Sequence, residues 1–357
     1  MRLVVLPGDG IGPEISDSAV RVLQVVNKRL SLGLTFETHE IGLSRIKKDG
    51  STFPNEVLEA AREADGIILG PVSHSDYPPR DQGGVNGSAH LRVDLDLYAN
   101  IRPCRSREGL EHYGRTPMDL VIVRENTEGF YADRNMFMGS GEFMPTPDMA
   151  IALRKITAPA SRRIARAAFA LARRRPRRKV TAVHKANVLK VSDALFLREC
   201  RAVAAEHPDI AYDEQLVDSM TAMLVRDAQR FDVIVTTNMF GDILSDEASE
   251  LSGSLGLGPS INFGDAHCMA QAQHGSAPDI QGQDKANPCS LVLSSAMLLE
   301  WIADKRGEES FRRGAAAINT AVDALIKRPE TRTPDLRGPL GTEAFTQRLC
   351  EEIERLL

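Results

Sequence analysis

The chain reads as an α/β protein with a largely parallel sheet covered on both faces, and two observations predict it. Short continuous runs rich in Val, Ile and Leu recur at residues 3–6, 66–69, 120–123, 180–183 and 233–236. Longer stretches with helical period separate them, at 14–30, 55–63, 161–174 and 193–206. Apolar runs without alternation suit strands buried on both faces, and strands alternating with amphipathic helices imply parallel crossovers. The last third returns to helix at 289–304, 310–327 and 342–357, and no internal repeat or low-complexity linker interrupts the pattern.

Taken in order, the first run ends in Gly8-Asp9-Gly10-Ile11-Gly12-Pro13-Glu14, a glycine-dense turn between strand and helix. Its spacing is not Gly-x-Gly-x-x-Gly, and no acidic residue follows about 20 residues later in a strand context, so a Rossmann fingerprint is excluded. Residues 82–89 (Gln-Gly-Gly-Val-Asn-Gly-Ser-Ala) read as a flexible loop of small residues, of the kind that lines a ligand mouth. Residues 131–147 mix aromatics, Met, Gly and Pro without helical period, which fits a β-hairpin or arm and equally a long surface loop.

Bulk properties narrow the function classes. With 357 residues the chain has room for two domains or one large α/β unit. A formal net charge of −5 argues against a dedicated nucleic-acid binder. The basic run at 173–179 is read as a solvated helix end with cations at the negative pole. Five scattered cysteines form no Cys-x-x-Cys pair, so neither a disulfide framework nor a thiolate zinc site is indicated. The opening apolar run is too short for a signal peptide, and no stretch approaches the ~18 residues of a membrane span. A cytoplasmic protein with no membrane association is expected.

The chemistry concentrates in a few motifs. After the run at 233–236 comes Asn-Met-Phe-Gly-Asp-Ile-Leu-Ser-Asp, which places Asp242 and Asp246 at i, i+4 on one helix face. Two carboxylates there repel unless a cation lies between them, and Mg²⁺ or Mn²⁺ suits such oxygen donors. The bland alternative is a helix start whose acidic residues complement the dipole. Arg92, Arg102 and Arg124 sit in apparent strand-edge or loop settings. Converging guanidinium forks would hold a di- or tricarboxylate; three separate ion-pairing arginines are the competing reading. Tyr131 closes Arg-Glu-Asn-Thr-Glu-Gly-Phe-Tyr, and Lys185 follows a strand at the end where α/β sites form. Burial and neighbouring cations can tune such a lysine for proton transfer near neutrality. His274-Gly275-Ser276-Ala277-Pro278-Asp279-Ile280 follows a strand-poor region and is compact enough to approach a phosphate or adenine. Asp279 would accept from a ribose 2′-hydroxyl and repel a 2′-phosphate, favouring NAD over NADP.

Together these motifs resemble the β-decarboxylating dehydrogenases, the family of isocitrate, isopropylmalate, homoisocitrate and tartrate/malate dehydrogenases. The likeness runs from Gly8-Asp9-Gly10-Ile11-Gly12 to Arg332-Thr-Pro-Asp-Leu, and the segments 238–246 and 274–288 are its most specific parts. It implies the isocitrate/isopropylmalate dehydrogenase-like fold, two domains around a large mixed, mostly parallel sheet that is not a Rossmann fold. One domain would join 1–99 to 252–357. The other would be 100–251, with an arm near 131–150, and would mediate a homodimer with shared active sites. By motif match, Asp242 and Asp246 would bind Mg²⁺ or Mn²⁺ together with Asp218 of a second copy. Arg92, Arg102 and Arg124 would hold the malate carboxylates, with Asn86 and Ser88 reading the carbon-3 substituent. Tyr131 and a second copy's Lys185 would be the acid–base pair. Asn187, His274, Gly275, Ser276, Ala277, Asp279, Ile280 and Asn287 would bind NAD.

The activity so implied is NAD- and metal-dependent oxidative decarboxylation of a 3-substituted malate, isocitrate or 3-isopropylmalate first, homoisocitrate or tartrate/D-malate behind. Isocitrate enzymes usually show Ser-x-Asn before the first arginine, where this chain carries Asn86-Gly87-Ser88. The leucines usual in isopropylmalate enzymes are replaced by Ser88 and Ala89, and the arginine usual in homoisocitrate enzymes is absent at Ala89. Gln271-Ala-Gln-His274 stands where many relatives read Glu-Pro-Val-His. A rival of another class, a non-catalytic regulatory subunit of a hetero-oligomeric isocitrate dehydrogenase, predicts loss of the acid–base pair or of a metal carboxylate. Tyr131, Lys185, Asp218, Asp242 and Asp246 all stand in their motif places.

Overall fold

In the computed structural model, which describes residues 1–131, 133 and 135–357, the chain divides into two compact units. One comprises Met1–Leu95, Arg107–Glu111 and Gly253–Leu357, the other Asp96–Ser106 and His112–Ser252.

The first unit opens with β1 (Arg2–Leu6), α1 (Gly12–Leu30), β2 (Thr35–Thr38), α2 (Leu43–Asp49), α3 (Asn55–Arg62), β3 (Gly66–Leu69) and α4 (Gly87–Asp94). The second carries β4 (Ala99–Arg105), β5 (Asp119–Glu125), β6 (Glu142–Thr146), β7 (Met149–Ala152), α5 (Ala158–Arg174) and β8 (Lys179–His184). It continues with α6 (Ser192–Ala205), β9 (Ala211–Leu216), α7 (Val217–Asp227), β10 (Val233–Thr236) and α8 (Asn238–Ser252). The chain then returns to the first unit with β11 (Pro259–Phe263), β12 (Cys268–Ala272), α9 (Cys289–Arg306), α10 (Glu309–Lys327) and α11 (Thr342–Leu356).

Within the first unit the strand order is β2-β1-β3-β12-β11, parallel except for the antiparallel β11–β12 hairpin. Within the second it is β4-β5-β10-β8-β9, with β4 antiparallel to β5 and the rest parallel. The sheet is thus α/β, mixed and mostly parallel. Strands β1, β3 and β10 are buried almost end to end, which accounts for their unbroken Val/Ile/Leu sequences. The core of the second unit gathers Ile122, Val183, Phe231 and Ile234 with Met220 of α7 and Leu244 and Ala248 of α8.

Several local readings change. The region before His274 is not strand-poor: Ser260 and Asn262 of β11 pair with Gln271 and Met269 of β12. The last three residues of the expected loop at 82–89 are helical, because the Asn86 side chain caps α4 by accepting from the Ala89 N–H at 3.2 Å. Arg92 therefore lies on a helix and not at a strand edge. Beyond Tyr131, β6 and β7 form an exposed two-stranded hairpin, so the arm-like reading fits better than a loop; positions 132 and 134 of that stretch lie outside the described residues. All five cysteines are free, buried thiols, and burial drives that of Cys104 up to about 12. Among the described residues no helix is long and apolar enough to cross a membrane.

The basic run does close α5 with exposed cations, Arg173 and Arg174 in its last turn, while Arg175 is drawn to a buried counter-ion. Arg175 Nε donates to the Asp232 carboxylate at 2.5 Å and Arg177 lies 3.6 Å from it, while Asp232 is 1% exposed. Replacing Asp232 with Ala leaves these guanidinium groups without their buried counter-ion. It is expected to cost about 2–3 kcal/mol, read from urea unfolding.

Candidate active site

The second unit assembles its polar cluster on neighbouring strands. Arg124 of β5 faces Asn100 of β4, and Arg102 lies two residues further along β4, so both arginines share one face. Helix α8 packs over that face and brings Asn238, Asp242, Ser245 and Asp246 onto it. Gly241 makes the approach possible: a Cβ there would meet Arg124 Cβ and Cγ at 2.7 Å.

Arg124 is 1% exposed and every arm of its guanidinium is used. Nε donates to Asn238 Oδ1 at 2.8 Å, Nη2 to the Tyr131 hydroxyl at 2.7 Å, and Nη1 to Asp242 Oδ1. The Tyr131 hydroxyl in turn donates to Asp242 Oδ2 at 2.9 Å. Arg102 donates from Nε to Asn100 Oδ1 and from Nη1 to Ser245 Oγ, both at 2.7 Å. The same Nη1 stands 3.2 Å from one carboxylate oxygen of Asp242 and 3.2 Å from one of Asp246. A cation does lie between the paired carboxylates, and within this chain it is Arg102. Burial, with the neighbouring Arg124 second, lowers the Arg102 pKa to about 10, and the two aspartates offset this in part.

Lys185 and Asp218 form a separate pair, Nζ to Oδ1 at 2.7 Å, and this bond holds the Asp218 carboxyl below its ordinary range. The Lys185 backbone N–H donates to Asp193 Oδ2 at 2.6 Å, and Asp193 is buried against Arg154. The chain does not bring Asp218 to Asp242 and Asp246: among the described residues no group of three His, Cys, Asp or Glu is placed to hold a metal. Asn187 is exposed in the turn after Lys185.

In the first unit, Ser88 and Arg92 of α4 both engage Gln271 of β12. The loop after β12 is pinned to the first glycine turn. Ile11 N–H donates to the Ser276 carbonyl at 2.8 Å, and a Cβ on Gly10 (φ +58°) would sit 1.9 Å from that oxygen. Asp9 orders the surroundings, accepting from the backbone N–H of Leu43 and Ser73 and from Tyr77 Oη. Burial holds the His274 imidazole below its ordinary pKa and so favours the neutral ring. Gly275 and Asp279 are exposed, Ala277 takes a left-handed turn (φ +39°), and Ile280 closes it. Asn287 donates from Nδ2 to Asp335 at 2.9 Å, and its Oδ1 accepts from the Cys289 N–H.

The sequence pattern described as isocitrate/isopropylmalate dehydrogenase matches residues 2–353. The chain belongs to this family. A 3-isopropylmalate dehydrogenase of Archaeoglobus fulgidus is 38% identical over 353 residues, 99% of each chain. An isocitrate/homoisocitrate dehydrogenase of Thermus thermophilus is 40% identical over 356 residues, again 99% of each. The crystal structure of isocitrate dehydrogenase from Methylococcus capsulatus matches with a TM-score of 0.87 at 38% identity, covering 99% of both chains. Named relatives of the family are dehydrogenases, and this member is an enzyme of the same kind.

Sequence reasoning missed the partners that fix the second unit's cluster, namely Asn100, Asn238 and Ser245, and it singled out Gln271 without its bond to Arg92. Asn238 and Ser245 lie inside the aspartate motif and were available as helix-face neighbours of Asp242; Asn100 required the β4–β5 register. Converting Gly241 to Ala is expected to push α8 off Arg124. A loss of about 1–3 kcal/mol in unfolding free energy, with lower turnover, would record the displaced Asp242.

Proposed function

We propose that this enzyme catalyses NAD- and Mg²⁺/Mn²⁺-dependent oxidative decarboxylation of a 3-substituted malate, as a homodimer whose sites are shared. The observation that carries the reading is the cluster of Arg102, Arg124, Tyr131, Asp242 and Asp246, in which cationic forks, a phenol and paired carboxylates occupy one sheet face. Asp242 and Asp246 remain about half exposed, with side-chain exposures of 41% and 53%. Their hard oxygen donors therefore fit a dication of the Mg²⁺ or Mn²⁺ type. Asp218 would complete the set from a second copy. Because Lys185 and Asp218 stand together, a partner that delivers one delivers the other.

Apolar exposure supports such a partner. The β6–β7 hairpin leaves Phe143, Met144 and Met149 uncovered, and Val188, Val191 and Ile243 are exposed beside the lysine turn and between the metal-type aspartates. A lone two-stranded hairpin is marginal in water, and clustered apolar surface marks an interface.

When bound, NAD⁺ would accept the hydride from carbon 2 and the dication would act as Lewis acid toward the substrate's hydroxyl and adjacent carboxylate. Arg102 and Arg124, side by side in the second unit, would bind and orient substrate carboxylates, and Arg92 is assigned the same kind of role by motif match. Lys185 of a second copy, directly or through water, would take the proton from the carbon-2 hydroxyl. After carbon dioxide leaves, Tyr131 returns a proton to carbon 3, its hydroxyl already aligned by Arg124 and Asp242. The loop at 274–280 and Asn187 would hold the dinucleotide, with the exposed Asp279 selecting NAD. Polar side chains at Asn86 and Ser88 provide no apolar wall for an isopropyl group, which favours isocitrate over 3-isopropylmalate.

Purified protein with Mn²⁺ and NAD is expected to produce NADH from at least one of isocitrate, 3-isopropylmalate, homoisocitrate, tartrate and D-malate. Activity on none, with tight binding of one acid, would instead indicate a regulatory subunit. Lys185→Ala and Tyr131→Phe are each expected to lower kcat by about a hundredfold or more while NADH affinity, followed by fluorescence, stays nearly intact. Wild-type turnover in either variant removes that residue from its role. A higher kcat/KM with NADP than with NAD would remove Asp279 from cofactor selection.

A further inference from the structure

We infer that Gln271 is a positioning residue for Arg92, holding its guanidinium for a substrate carboxylate without contributing a countercharge of its own. The inference rests on the reading of Arg92 as a carboxylate-binding residue and specifies how that subsite is set.

Three donors converge on one amide oxygen. Gln271 Oε1 accepts from Arg92 Nη2 at 2.9 Å and lies 3.2 Å from both Ser88 Oγ and Asn262 Nδ2. Its Nε2 donates to Ser88 Oγ at 3.0 Å. Arginine only donates, so the oxygen of the amide must face Arg92. Asn262 is fully buried and Ser88 is 7% exposed, so the amide is gripped from β11 and from α4 at once. The backbone beneath it is fixed as well: the Gln271 carbonyl accepts from Ser294 Oγ at 3.0 Å and its residue pairs in register with Ser260.

An amide here sets the direction of the guanidinium yet brings no charge. A carboxylate in the same place would form a charge-assisted bond to Arg92 and compete with an incoming carboxylate for the same N–H groups. The side chain at 271 therefore governs acid affinity through Arg92. Its side chain bonds to Ser88 and Arg92, the substrate-side residues, and to Asn262 of β11.

The test is steady-state kinetics of the full-length enzyme with Mn²⁺, NAD and whichever of the five acids wild-type protein oxidises fastest, on wild type, Gln271→Glu and Gln271→Met. Gln271→Glu is expected to raise the acid KM about tenfold or more. Its kcat and NAD KM should stay within about threefold, and its melting temperature should be little changed. Gln271→Met, which removes the acceptor and adds no charge, is expected to raise the acid KM by a smaller factor, about threefold. An acid KM in Gln271→Glu within twofold of wild type overturns the inference alone, as do losses in kcat or NAD KM as large as the change in acid KM. Should Gln271→Glu fail to fold, Gln271→Met decides by an acid KM that rises or does not. Wild-type protein that oxidises none of the acids overturns the proposed function and this inference with it.

Discussion

A guanidinium sealed inside a sheet is the constraint from which the second unit follows. Arg124 is among the largest fully buried side chains, and a buried charge is tolerated only when each donor finds a partner. Asn238, Asp242 and Tyr131 supply those partners. To reach them, α8 must start directly after β10 and press against β5, which requires the glycine at 241. The strand, the turn, the helix and the aspartate spacing thus answer one electrostatic demand. Arg102, on the neighbouring strand, is held by the same helix through Ser245, and its two-way contact with Asp242 and Asp246 relieves the repulsion between them.

The first unit solves a different problem, the ordering of a loop. Asp9, nearly buried, gathers backbone and phenol donors from three segments, and the adjacent Gly10 lets the 276 carbonyl approach the opening turn. This arrangement explains why a glycine-dense turn that fails as a dinucleotide fingerprint is still built with such economy of side chains. Its role is to seat neighbouring backbone: Gly10, at positive φ, lies against the 276 carbonyl, and Gly8, also at positive φ, lies against the Pro71 carbonyl.

Much of this organisation was legible in the residues because buried parallel strands leave an unbroken apolar trace. Strands β1, β3, β5, β8 and β10 read directly. β4 did not: Asn100 and Arg102 point into the protein, and polar inward residues erase the hydrophobic signal. β11 and β12 were hidden for a like reason, with Ser260 and Asn262 buried and Gln271 half-buried among its hydrogen-bond partners. Edge strand β9, Ala-Tyr-Asp-Glu-Gln-Leu, carries too many charges to read as a strand. For the site, the aspartate pair, Tyr131 and two of three arginines fall into one cluster within one unit. Local spacing gave Asp242 and Asp246 a common face, whereas the β4–β5 register and the Gln271 network are long-range pairings that no local window contains.

The sequestered thiols carry a practical corollary. A thiol reagent attacks only the deprotonated sulfur, and these five are kept both protonated and out of reach. Modification must wait for the surrounding layer to breathe, so its rate reports opening rather than intrinsic reactivity. Cys104 and Cys200 lie in the second unit, and Cys268, Cys289 and Cys350 in the first. Each half of the molecule consequently contains its own native probe, and mass-resolved alkylation can time the loosening of one independently of the other without any engineered label.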